Sequence, residues 1–131
     1  MNLNPFEKLK FPFESKGTIT KNNYQGIFTI KPILNLMDWI NIENKKRELL
    51  NHPKNDESIE PTVEGAANIL ATLKAYIIEA PQWYTETDGL TQCFDANIPS
   101  ELYAKIQEEA QKWLSSIKQE GEKARKSIVS E

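Results

Sequence analysis

The chain has 131 residues, the length of one domain, and its 39% hydrophobic residues suffice for a single buried core. Its 19 acidic residues outnumber 16 basic ones for a net charge of -3, which argues against a protein that grips a nucleic-acid backbone. A single cysteine, Cys93, excludes an intramolecular disulfide, and no run approaches the ~20 apolar residues that cross a bilayer.

Residues 1–13, MNLNPFEKLKFPF, hold two prolines and three phenylalanines without a clear period and read as an ordered or partner-bound arm. Glu7, Lys8 and Lys10 break up the apolar core that a signal peptide needs. Glu14 to Thr20 and Tyr24 to Lys31 are rich in Thr, Ile and Phe and flank Lys21, Asn22 and Asn23, which suit a turn; together they predict a β-hairpin. In its second arm Ile27 and Thr29 alternate with Phe28 and Ile30, so both faces are apolar. At least one of them needs cover from elsewhere in the fold or from another chain.

Asn35 followed by Asp38 predicts a cap for a first helix over Leu36 to Asn51, with Trp39, Ile40, Ile42, Leu49 and Leu50 at helical spacing. His52 to Glu60 reads as a polar loop. Pro61 opens a second helix whose stripe runs through Val63, Ala66, Ala67, Leu70, Leu73, Ile77 and Ala80, the expected central core helix. From Pro81 to Pro99 the sequence is irregular and carries Trp83, Tyr84 and Phe94; a loop this long and aromatic is packed down or functional. Ser100 or Asn97 can cap a third helix, striped by Leu102, Ile106, Ala110, Trp113, Leu114 and Ile117 and ending near Gln119. Gly121 reads as a stop, and the charged remainder as a frayed tail. The organisation expected is an arm (1–13), one hairpin-plus-helices domain (14–120) and a tail (121–131).

Catalytic groups are sparse. His52 stands in a polar loop with no Ser or Cys in a nucleophile motif beside it, and Asp88 and Asp95 flank Cys93 at a spacing that matches no metal-ligand pattern. Cys93 reads as a packing residue, and no glycine-rich phosphate loop or zinc spacing occurs. No enzymatic activity, no cofactor and no metal are therefore expected. Lys45, Lys46 and Arg47, bracketed by Glu43 and Glu48, read as a solvated helix face rather than a nucleic-acid patch. Trp83, Tyr84 and Trp113 lack the positive surroundings of a base-stacking platform, which leaves core packing or protein recognition.

One long segment resembles a known pattern. From Ile69 to Ile106 a helix ends in Glu79-Ala80-Pro81, then come the aromatic pair Trp83-Tyr84, Gly89-Leu90, Asp95-x-Asn97 and a helix with Glu101-x-x-x-Lys105. This looks like small virion-morphogenesis proteins of tailed bacteriophages, tail-assembly chaperones among them. Upstream, GTITKNNYQGIFTIKPIL, a hairpin leading into a helix, resembles the opening of such proteins, so the likeness covers Gly17 to Trp113. The resemblance implies a non-catalytic protein whose elements of interest are the hairpin at Thr18 to Ile30 and the loop at Trp83, Tyr84, Leu90 and Asp95.

The expected fold is α+β, an N-terminal arm and β-hairpin followed by a three-helix bundle. The expected function is binding of another phage protein during tail or virion assembly, through Ile27, Phe28, Ile30, Trp83, Tyr84 and Leu90. A small phage-encoded binder or inhibitor of a host protein is the alternative. The partners expected are phage structural or assembly proteins or a second copy of the chain, with neither nucleic acid nor membrane; the location expected is the host cytoplasm during assembly, with the virion as the alternative.

Overall fold

The computed structural model describes residues 8–50 and 61–129; residues 1–7 of the expected arm and the expected loop at His52 to Glu60 lie outside the described residues. The chain runs β1 (Leu9–Lys16), β2 (Asn23–Ile30), α1 (Leu36–Leu50), α2 (Pro61–Tyr76), β3 (Ile77–Glu79), α3 (Gln82–Glu86) and α4 (Asn97–Val129). The fold is mixed α+β; among the described residues a three-stranded antiparallel sheet in the order β1-β2-β3 stands with four helices.

The hairpin forms, but its first strand begins earlier than expected. Leu9 to Phe13, assigned above to the arm, pair with β2 in a register that sets Leu9 opposite Ile30 and Phe11 opposite Phe28. Phe11 and Phe13 alternate with exposed Lys10, Pro12 and Glu14, a period-two signal that Pro12 disguises. Pro12 sits mid-strand on an outer strand of the sheet, where a missing amide is tolerated. The turn spans Gly17 to Asn22, closed by the Gly17 amide donating to the Asn22 carbonyl at 2.9 Å, with Lys21 at φ 63°.

Asn35 caps α1 as its sequence predicts. The Asp38 amide donates to Asn35 Oδ1 at 2.8 Å, and the Asn35 amide donates back to Asp38 Oδ2 at 2.9 Å, a reciprocal capping box. Helix α2 departs from expectation at its end. Ile77 to Glu79 leave the helix and pair antiparallel with Thr29 and Ile30, while the Lys31 amide donates to the Tyr76 carbonyl at 2.9 Å. Pro81 disfavours helical geometry at Ala80, and the open edge of β2 offers Ile77 to Glu79 ladder bonds that a last helical turn cannot match.

Two further differences lie downstream. Gln82 to Glu86 form a short helix inside the stretch read as loop. Helix α4 is described to Val129, past Gly121; one glycine among Glu, Lys, Ala and Arg costs about 1 kcal/mol and need not end a helix.

The helices do not enclose a core of their own, as a three-helix bundle would. Phe11, Phe13, Tyr24, Phe28 and Ile30 from the inner sheet face meet Leu73 and Tyr76 of α2, Tyr84 and Leu90, and the stripe Ile98, Leu102, Ile106 and Ala110 of α4. At ~1.5 to 3 kcal/mol for each fully buried large side chain, this shared layer dominates the favourable side of folding. Helix α1 packs against α2 from outside it, burying Asp38 and Ile42.

Candidate functional site

The structure brings five of the six expected recognition residues together, and it does so inside the protein. Phe28, Ile30, Tyr84 and Leu90 are all buried core residues. Trp83 is half-buried, its ring edge-on to Tyr24 at 5.2 Å and to Phe28 at 5.5 Å, and its indole N–H donates to the Gln25 carbonyl at 3.0 Å. These aromatics close the core between sheet and α3, so the inner hairpin face is covered by the chain itself. Of the six, Ile27, on the outer face opposite Pro12, is the one that is mostly exposed, at 65%.

Asp95, which the resemblance picks out, organises the end of the molecule where the hairpin turn meets the start of α4. Its side chain is fully buried and accepts from the Ile19 amide (2.8 Å), the Thr20 amide (2.9 Å), the Thr20 hydroxyl (2.5 Å) and the Tyr24 hydroxyl (2.6 Å). Gly17 lies so close that a Cβ there would fall 2.3 Å from the Asp95 carboxyl carbon. Asn97 extends the clamp, accepting from the Thr18 amide at 3.1 Å and donating to the Lys16 carbonyl at 3.0 Å. Burial pushes the Asp95 carboxyl up, but the hydrogen bonds from Thr20, Tyr24 and the Ile19 amide outweigh it and hold the group well below the usual carboxylate range. The same bond, with burial, pushes the Tyr24 hydroxyl up to about 12.

Both oxygens of the Asp95 carboxylate each accept two hydrogen bonds from the hairpin, so the group holds the turn against the start of α4. Cys93 stands beside it, its Sγ 3.7 Å from the Tyr24 hydroxyl. Among the described residues no group of three His, Cys, Asp or Glu is placed to hold a metal ion. His52 lies outside the described residues. The cations of the α1 cluster face carboxylates: Lys46 with Glu64 at 3.0 Å, Arg47 with Glu43 at 3.6 Å and Lys45 with Glu48 at 3.5 Å.

A further apolar surface lies on α1, where the sequence marks helical spacing and assigns no recognition residue. Leu36, Met37, Trp39 and Ile40, in the first turns of α1, are 82%, 60%, 54% and 53% exposed, while Asp38 and Ile42 turn inward. The inward turn of Asp38 follows from its partners, the Asn35 amide and the Lys31 ammonium at 2.6 Å. That pairing rotates the flanking apolar residues to the solvent side. Ile19 and Phe94, each next to a residue of the Asp95 clamp in sequence, are also exposed, at 69% and 78%.

Comparison of the chain with protein-family models, with curated proteins and with solved structures finds no match in any of the three.

Proposed function

We propose that this chain is a non-catalytic protein that binds another protein, and that it does so during assembly of a tailed-phage virion. The observation that carries the binding reading is the run of four large apolar side chains at the solvent within five residues of α1. Single exposed hydrophobics are ordinary, but a contiguous apolar patch on a small chain has a stability and solubility cost unless a partner covers it. Trp39 is the residue type that most often anchors such contacts, and the pairs Leu36–Trp39, Leu36–Ile40 and Met37–Ile40 stand three or four residues apart, so that Leu36 joins Trp39 and Ile40 into one face. The resemblance at Gly17 to Trp113 supplies the phage setting. The core placement of Trp83 and Tyr84 shifts the proposed contact from the aromatic loop to α1, with Ile27 on the outer sheet face as a further contact.

The test joins one variant to two readouts. Trp39→Ala/Ile40→Ala should melt within a few degrees of the parent, because surface changes away from special features are worth about 0.5 kcal/mol or less. It should also lose co-purification with the phage protein that the parent retains. Mass spectrometry of purified particles then separates a resident structural component from a transient chaperone. Retention of the same partner by the double variant would sink the α1 assignment, and recovery of host proteins alone would replace the assembly reading with the host-binder alternative.

A further inference from the structure

Between the second half of α1, the later turns of α2 and the loop after α3 lies a pocket of about 220 Å³, room for several waters or a small organic group. Leu49 and Leu70 give it apolar walls, and Lys45 of α1 and Lys74 of α2 add two cationic side chains to its lining. Asp88, Gly89 and Thr91 also line it, and Asp88, Gly89 and Leu90 form a turn with φ of 53°, 65° and 71°. Gly89 allows that curl, and a Cβ on it would sit 3.4 Å from the Tyr84 hydroxyl oxygen.

Tyr84 lines the pocket, is only 7% exposed, and its hydroxyl has no hydrogen-bond partner among the described residues. Burial and the nearby Asp88 charge push this hydroxyl up to about 12, so at neutral pH it keeps its proton and needs an acceptor. Among the described residues Lys74 has no carboxylate within ion-pair distance, and Lys45 reaches only the exposed Glu48, at 3.5 Å. Two ammonium groups and one orphan donor beside apolar walls ask for an anion with an apolar stem.

We infer that this pocket takes a carboxylate on a short aliphatic stem, the chemistry of a glutamate side chain from a bound protein partner. The carboxylate lies between Lys45 and Lys74 with an oxygen toward Tyr84, and the stem lies against Leu49 and Leu70. Lys45 and Lys74 against Asp88 leave the lining one net positive charge, which matches a singly charged carboxylate better than a doubly charged phosphate. The inference deepens the binding reading above and rests on it only for the source of the carboxylate.

Amide NMR of the full chain, titrated at constant ionic strength with butyrate and separately with butyramide, tests the pocket with no partner present. Butyrate should give saturable shifts at the Gly89 and Thr91 amides, and the neutral amide should give none. Lys45→Gln/Lys74→Gln should weaken butyrate binding by about tenfold or more, the loss expected for two charge-assisted contacts. Tyr84→Phe should weaken it further than the control Lys112→Gln, whose ammonium pairs with Glu108 of α4 outside the pocket. Single Lys74→Gln, at an exposed position, provides the same comparison if the double variant folds poorly. Shifts that never saturate, equal shifts with butyramide, or undiminished binding in the lysine variants would overturn the inference. None of these would touch the α1 reading, which is decided by partner release from Trp39→Ala/Ile40→Ala.

Discussion

Asp95→Asn keeps the size of the side chain but removes the charge toward which two amides and two hydroxyls converge. A carboxyl held low in the folded state stabilises it above the pKa of the unfolded chain, and that contribution is lost as pH falls toward the folded value. The parent should therefore lose stability below about pH 4, the unfolded aspartate value, and the gap in Tm between parent and Asp95→Asn, wide at pH 7, should close as acid is added. Parallel melting curves from pH 7 to pH 2 would show that the clamp does not act through its charge. Asp38, lowered by Lys31 and the Asn35 amide against the opposing effect of burial, adds to the same acid limb, so the comparison rests on the difference between the two proteins. Gly17→Ala tests the clamp by shape: a methyl 2.3 Å from the carboxyl carbon must push Asp95 or the turn aside. Overpacking of this kind costs ~1 to 3 kcal/mol, readable as a lower urea midpoint at unchanged slope.

Helices α1 and α4 show how far periodicity carries an argument about elements. In α4 the stripe Leu102, Ile106 and Ala110 expected from spacing is the buried face, extended upstream by Ile98. In α1 the same reasoning marks Leu36, Trp39 and Ile40, which the structure leaves exposed. The difference lies in the companions. No polar group competes for the α4 stripe, whereas Asp38 is drawn inward by Asn35 and Lys31 and turns its helix with it. Stability should follow the structure. Leu73→Ala, at a fully buried position of α2, should cost ~2 to 5 kcal/mol. Ile40→Ala should cost about 0.5 kcal/mol or less, and half-buried Leu70→Ala should fall between. Urea unfolding of the three variants checks the order, and a large loss at Ile40 would mean that α1 is covered within the folded chain.

For the molecule as a whole, sheet and helices share one core, and the turn at Gly17 to Asn22 is tied to residues some 75 positions away, as in the Thr20 amide bond to Asp95. Hairpin and helices should therefore unfold together. Far-ultraviolet and near-ultraviolet circular dichroism should report one coincident thermal transition, and an aromatic signal that melts ahead of the helices would separate the hairpin from the fold. The sequence by itself determined the mixed class, the hairpin with Phe28 and Ile30 on one face, the Asn35 cap and the α4 stripe, because each depends on neighbours within a few residues. Only the tertiary structure decided that Leu9 to Phe13 join the sheet, that Ile77 to Glu79 become a strand, and that Trp83 and Tyr84 close the core while Trp39 and Ile40 face solvent. Local spacing tells which side chains share a face. Whether that face is covered depends on segments distant in the chain that compete to pair with or pack against it, and no local pattern records the outcome.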